Sequence, residues 1–291
     1  MVTLNTIIVA GAGTMGQGIA QLCATLGKQT IMYDVSQEGL TKARQAIDQN
    51  LYQSVAKGRL AAEKVATIQT RIVYTTRLED AVGDMLIEAI VEQTAPKKAL
   101  FRVLEQQNSP QFIIASNTSS IPMEVLSEGL SRPERVVGLH FFNPATVMKL
   151  VEVISGPQTL ACVAQQAEDL ALLMNKTVVR AKDAPGFIVN RVARPYYAES
   201  LRLLGAGGLA HEDIDRLLES VGFRMGPFRL MDLIGVDTNL SVTTSIYEGL
   251  GCPKRFEPNP IQQSMVLQGH HGRKSGQGFY PYSKDEGPIA R

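Results

Sequence analysis

The sequence predicts an α/β protein, a doubly wound sheet followed by an all-helical C-terminal domain. Three observations carry that prediction. Short β-rich runs alternate with helical stretches through roughly the first 180 residues, a Gly-rich turn sits directly after the first run, and strand-like runs vanish beyond Asp183-Ala184-Pro185-Gly186.

Taken in order, the expected strands are 6–10, 30–33, 71–74, 85–90, 112–115, 136–140, 150–154 and 177–180, each rich in Val, Ile or other strand-favouring residues. The run beginning at Val2 leads into the first of them and reads as a buried strand. Helical patterns fall at 15–26, 37–57, 96–106 and 160–174, which gives the β-α-β repetition of a doubly wound sheet. At Asp183 an acidic residue able to cap a helix stands two positions before Pro185, so the boundary is placed there, with domains at 1–183 and 184–291. Beyond it, apolar residues recur at helical spacing over 187–204, 214–221, 228–236 and 240–250. Pro195 lies inside the first of these and is expected to kink or split it. The segment 269–278 reads as a Gly-rich basic loop running into Phe279-Tyr280-Pro281-Tyr282.

Composition narrows the function classes. A length of 291 residues favours two domains, and 44% hydrophobic with 20% charged residues marks a globular chain rather than a disordered one. Lys plus Arg (29) nearly balances Asp plus Glu (28), so no overall field draws the protein to nucleic acid or an anionic membrane. Cys23, Cys162 and Cys252 are far apart and form no ligand spacing, which fits a reducing compartment and implies no metal. Charged or polar residues interrupt every apolar run before membrane-spanning length, and no basic leader precedes the first strand, so a cytoplasmic location is expected.

The Gly-rich turn is Gly11-Ala12-Gly13-Thr14-Met15-Gly16, between a predicted strand and a predicted helix, the context in which this weak pattern marks a Rossmann-type dinucleotide site. Gly11 would make the tight turn, Gly13 would let a pyrophosphate approach the backbone, and Gly16 would let helix and sheet pack closely. The helix N-terminus offers unpaired N–H groups and the positive end of its dipole. Asp34, ending the second strand, is placed to accept hydrogen bonds from ribose hydroxyls and to repel a 2′-phosphate, which favours NAD over NADP. FAD stays open by the fingerprint alone, although the chain is short for a buried flavin.

Ligands in such sheets bind beyond the carboxyl ends of the strands. Glu92, the run Asn117-Thr118-Ser119-Ser120, His140 and Asn143 all fall there. His140 suits the removal of a proton from an alcohol as hydride departs. Glu152 interrupts the apolar run Leu150, Val151, Val153, Ile154, and a carboxylate in that setting needs a partner. His140 is the obvious one: a Glu on one ring nitrogen fixes the tautomer and stabilises the imidazolium. A structural strand histidine and a Glu satisfied by backbone N–H groups are the alternatives.

With these residues in place the chain resembles the 3-hydroxyacyl-CoA dehydrogenases, and within them the monofunctional bacterial 3-hydroxybutyryl-CoA dehydrogenase type. The resemblance covers nearly the whole chain. It rests on the Gly11 to Gly16 loop, Ile87-Glu88-Ala89-Ile90-Val91-Glu92, Ala115-Ser116-Asn117-Thr118-Ser119-Ser120, Gly138-Leu139-His140-Phe141-Phe142-Asn143-Pro144, Leu150-Val151-Glu152-Val153, Asp183-Ala184-Pro185-Gly186-Phe187-Ile188-Val189-Asn190-Arg191 and the Gly272 to Tyr280 tail.

The resemblance implies His140 as catalytic base with Glu152 as its partner, and Ser119 and Asn190 holding the substrate hydroxyl and thioester carbonyl. It implies NAD contacts at Asp34, Glu92, Lys97, Ser119, Asn143 and Lys274, besides the glycine loop. It implies coenzyme A contacts at Lys57, Ser119 and the position of Asn50, where some relatives carry a hydroxyl residue. An ordinary solvated helix lysine is the alternative for Lys57. No hydratase domain is expected in this length, and a single copy of the helical domain implies a homodimer formed through it. The implied reaction is NAD-dependent oxidation of an L-3-hydroxyacyl-CoA to the 3-ketoacyl-CoA, or its reverse, with acyl length open and dicarboxylic groups such as 3-hydroxyadipyl included. Two competing readings are a dehydrogenase of free hydroxy acids or sugar acids and a non-catalytic protein that kept the fold; intact His140, Glu152, Ser119 and Asn190 weigh against the second.

Overall fold

The structure, a computed structural model, describes residues 4–283, so Val2 at the head of the expected first strand lies outside the described residues. The chain divides into two compact units, Met1–Ala184 and Pro185–Arg291.

In chain order the first unit contains β1 (Thr6–Ala10), α1 (Thr14–Thr25), β2 (Gln29–Tyr33), α2 (Gln37–Ala56), α3 (Lys64–Thr70), β3 (Ile72–Thr75), β4 (Met85–Glu88), α4 (Thr94–Gln107), β5 (Ile113–Ser116), α5 (Met123–Ser127), β6 (Val136–Phe141), β7 (Leu150–Ser155), α6 (Ala161–Leu173) and β8 (Thr177–Lys182). The strands form one sheet in the order β3-β2-β1-β4-β5-β6-β7-β8. The order reverses beside β1, which opens a crevice at the carboxyl ends of β1 and β4.

Every expected strand is present, but the sheet is not uniformly parallel. β1 to β6 run parallel, whereas β7 pairs antiparallel with β6 and β8 parallel with β7. The reason is length: residues 142–149 are too few for the crossover that a parallel neighbour requires. Alternation sorts the strand side chains between two faces. Ile7, Val9, Met85 and Ile87 join α1, α2 and α6 residues such as Ile19, Ile47 and Ala167 in one core cluster. Ile8, Leu86 and Ile114 alternate with them, and α4 and α5 bury Phe101, Leu104 and Leu126.

The second unit is helical, with α7 (Val189–Gly205), α8 (His211–Ser220), α9 (Pro227–Ile234), α10 (Val236–Gly249) and α11 (Pro260–Leu267). Of the two expected outcomes at Pro195, a kink or a break, the helix shows no break: α7 continues through it. Arg194, just before the proline, donates to the Asn190 and Asn239 carbonyls and ties this stretch to α10. The expected helices over 228–236 and 240–250 appear as α9 and α10, which meet at Gly235 (φ 103°), the residue that ends α9 and starts α10. Two buried acids organise the unit. Asp215 accepts from the Phe228 and Arg229 N–H groups, capping α9 from a distance, while Asp232 accepts from Phe279 N, Tyr280 N and the Tyr282 hydroxyl, fastening the tail. Among the described residues no helix is long and apolar enough to cross a membrane.

Candidate active site

The glycine loop runs from β1 into α1, and each glycine has its own geometric reason. A Cβ on Gly11 (φ +107°) would lie 2.4 Å from the Ala89 carbonyl oxygen, and one on Gly16 only 1.8 Å from that of Gly11. One on Gly13 would meet nothing within 4 Å, so that position is kept bare by something other than the protein's own packing. Gly13 also caps α1 without a side chain, leaving N–H groups of the first turn unsatisfied, while Ala12, Thr14 and Met15 complete the turn. Asp34 braces this loop: Oδ2 accepts from Ala12 N (2.7 Å) and Oδ1 from Ser36 N (2.8 Å). Beside it opens a largely apolar cavity of about 650 Å³, lined by Gly13, Asp34, Leu78, Ile90, Leu100 and Val103 among others. These features fit a dinucleotide: a slot for a flat ring, a carboxylate at its edge and an uncapped helix N-terminus for phosphates. Leu78, Leu100 and Val103 escaped sequence reasoning because apolar residues on helical segments carry no chemical signature.

At the ends of β4 and β5, a buried ammonium ties the neighbouring loops together. Lys97 is 1% exposed and its Nζ lies 2.7 Å from Glu88 Oε1 and 2.9 Å from Glu92 Oε2. Lys97 thus points into the protein, toward two carboxylates, although its resemblance had suggested a cofactor contact. Glu88 Oε2 accepts from Ser116 Oγ (2.6 Å), and Glu92 Oε1 accepts from Thr118 Oγ1 (2.5 Å), Ser119 N (3.0 Å) and Ser120 Oγ (3.2 Å). Burial pushes the Glu88 carboxyl above its ordinary pKa, against the attraction of Lys97. Burial also acts to raise that of Glu92, but the Lys97 charge and hydrogen bonds from Thr118, Lys97 and Ser119 outweigh it, so the net shift is downward. Ser119 is therefore held through its backbone by Glu92, and Asn117 Oδ1 accepts from Phe141 N (2.8 Å), linking the ends of β5 and β6.

His140 and Glu152 stand directly opposite each other across the antiparallel β6–β7 pair. His140 is 6% exposed and Glu152 0%. Nδ1 lies 2.7 Å from Glu152 Oε2, and the Phe142 ring sits 4.6 Å from the imidazole, centroid to centroid. With the Nδ1 proton committed to the carboxylate, a neutral ring carries its lone pair on Nε2. Asn143, just past β6, is exposed.

Asn50 and Lys57 come together on a smaller cavity of about 280 Å³ at the end of α2, with Ser54, Arg59 and Val147 also on its wall. Arg59 adds a second cation there that sequence reasoning passed over. In the second unit, Asn190 occupies the first turn of α7, and Lys274 Nζ pairs with Asp237 Oδ2 at 2.6 Å.

Residues 6–184 match the family model described as 3-hydroxyacyl-CoA dehydrogenase, NAD binding domain, and residues 186–282 match the one described as 3-hydroxyacyl-CoA dehydrogenase, C-terminal domain. Over 291 residues the chain is 45% identical to the 3-hydroxyadipyl-CoA dehydrogenase of Escherichia coli K12, covering 99% of this chain and 61% of that protein. It is 40% identical to the probable 3-hydroxybutyryl-CoA dehydrogenase of Bacillus subtilis, covering 97% and 98%. Among solved structures, the 3-hydroxybutyryl-CoA dehydrogenase of Escherichia coli K12 superposes with a TM-score of 0.94 at 44% identity, over 99% of this chain and 61% of that one.

Proposed function

The chain belongs to the family of NAD-dependent 3-hydroxyacyl-CoA dehydrogenases, and from that premise we propose that it interconverts an L-3-hydroxyacyl-CoA and the corresponding 3-ketoacyl-CoA. The observation that carries the proposal is the buried His140–Glu152 pair, a base and a counter-charge 2.7 Å apart at the end of the sheet. A bound NAD, held at the glycine loop and Asp34, would supply hydride-acceptor chemistry toward C3 of the substrate. His140 Nε2 accepts the hydroxyl proton, and Glu152 stabilises the imidazolium that results.

The remaining site residues bind and orient. The uncapped N-terminus of α1 receives the pyrophosphate and Asp34 the adenosine ribose hydroxyls. Glu92 fixes the Ser119 loop, and Lys97 acts from within by holding Glu92. Ser119 holds the substrate hydroxyl, Asn190 the thioester carbonyl, and Asn143 and Lys274 contribute to cofactor binding. Asn50, Lys57 and Arg59 meet the coenzyme A phosphates at the α2 cavity. Acyl groups in the range named for the relatives, 3-hydroxybutyryl and 3-hydroxyadipyl, are the substrates to test. We further propose a cytoplasmic homodimer paired through the helical unit, measurable by sedimentation.

The direct test is NADH oxidation with acetoacetyl-CoA. His140→Ala is expected to lose about 10²–10⁴-fold in kcat with NADH binding retained. Binding of NADH without reduction of any 3-ketoacyl-CoA by the wild-type protein refutes the proposal.

A further inference from the structure

Helix α7 carries a cation that no acid among the described residues neutralises. Arg194 is 4% exposed, and among the described residues no carboxylate pairs with it. Its Nε donates to the Asn190 carbonyl (3.2 Å), its Nη1 to the Asn239 carbonyl and Thr243 Oγ1 (both 3.0 Å), and its guanidinium lies over the Tyr197 ring at 4.7 Å. Burial pushes its pKa down to about 10, which still leaves it charged at neutral pH. The two N–H bonds of Nη2 have no partner among the described residues, and this atom is not sealed from solvent.

A buried charge without a counter-ion is costly, and a well-packed apolar side chain could join α7 to α10 without that cost. A guanidinium with unused donors is suited to an anion that arrives with the ligand. Its location narrows the choice. Arg194 follows Asn190 by four residues on one face of α7 and folds back onto the Asn190 carbonyl, beside the residue assigned above to the acyl thioester. The acyl portion of an ordinary fatty substrate has no charge. A dicarboxylic one has a carboxylate at its far end.

We propose that Arg194 recognises the distal carboxylate of a dicarboxylic acyl thioester, making short 3-hydroxydicarboxylyl-CoA esters the preferred substrate class. The inference rests on the dehydrogenase reading and on the role given there to Asn190.

The test needs only the wild-type enzyme at first. kcat/KM for NADH-dependent reduction is compared for 3-oxoadipyl-CoA and 3-oxohexanoyl-CoA, which have equal chain length but end in a carboxylate and a methyl group. A preference of about 10- to 100-fold for the former, expressed mainly in KM, is expected from a charge-assisted hydrogen bond in a desolvated site. In Arg194→Met the ratio should fall toward one, and Arg194→Lys should keep part of it. Equal use of the two esters by the wild type overturns the inference and leaves the dehydrogenase reading standing. Inertness toward both, and toward acetoacetyl-CoA, overturns the dehydrogenase reading itself. A wild-type ratio that survives in Arg194→Met while both rates drop assigns the arginine to helix packing or to the coenzyme A moiety and refutes the proposal. Should Arg194→Met fail to fold, the wild-type comparison and Arg194→Lys decide.

Discussion

Replacing Glu152 by Gln removes the charge behind His140 while keeping an oxygen able to accept from Nδ1. The two side chains are 6% and 0% exposed, with Nδ1 and Oε2 2.7 Å apart, so little water screens them. Charge centres about 4 Å apart at an effective dielectric of about 20 attract by about 4 kcal/mol. That attraction exists only once His140 has taken the proton, so it acts on the transition state and not on the neutral ground state. The amide dipole of Gln retains part of it. The expected loss in kcat is therefore about 10²–10³-fold, with little change in NADH affinity. Stopped-flow NAD reduction with L-3-hydroxybutyryl-CoA, the direction in which His140 takes up the proton, with thermal melting to establish that the variant is folded, provides the measurement. A folded Glu152→Gln enzyme within threefold of wild-type kcat refutes the assignment of Glu152 as electrostatic partner.

Three further perturbations separate packing from chemistry. Gly13→Ala meets no protein atom within 4 Å and should leave stability within about 0.5 kcal/mol while raising KM for NADH at least tenfold, whereas Gly16→Ala collides with the Gly11 carbonyl and should lower both the melting temperature and NADH affinity. Asp34→Ser should weaken NADH by about 10-fold or more and raise the NADPH-to-NADH ratio of kcat/KM by a similar factor; unchanged KM values for both cofactors would remove Asp34 from the ribose site. Lys97→Met leaves Glu88 and Glu92 without their cation and should cost about 3–5 kcal/mol at neutral pH. The sign of its pH dependence follows from the shifts. In the wild type, the raised Glu88 lowers stability as pH rises from its unfolded to its folded pKa, and the depressed Glu92 lowers stability as pH falls through its folded pKa, so the two oppose. Without Lys97 both carboxyls are pushed upward, so melting temperatures of the variant should decline relative to wild type from about pH 4.3 upward, and a flat difference would contradict the Glu88–Lys97–Glu92 triad.

The parts of the fold legible in the sequence were those with a strong local period. All eight strands stand where apolar runs predicted them, with ends shifted by a residue or two; β5, for example, begins at Ile113 and continues to Ser116. Strand direction was not legible in the same way, because it depends on whether a connection can cross the sheet. The brevity of 142–149 was visible, but its consequence for β7 and β8 is a property of the sheet as a whole. Short helices such as α3 and α5 fell below the length at which periodicity can be read. At Pro195 the helix is not broken, and Arg194 beside it bonds to α10, a tertiary tie that no window of sequence contains.

The site divides along the same line. Glu152 announced itself as a carboxylate in an apolar strand, and the demand for a partner led to His140 because a candidate was already in view. The same argument applies to Glu88, the last residue of Met85-Leu86-Ile87-Glu88, yet its partner is Lys97 on the following helix, which in sequence looks like any solvated lysine. A buried acid on a strand can therefore be inferred from its neighbours, whereas the cation that answers it depends on how the next helix docks. Arg194 extends the reasoning from strands to helices. In α7 it resembles an ordinary polar-face arginine, and only the docking of α10 turns it into a buried charge with no acid beside it. Glu88 and Glu152 have found their counterparts within the chain. Arg194 has none among the described residues, and by the same rule that exposed Glu152 its counterpart is to be sought in the ligand.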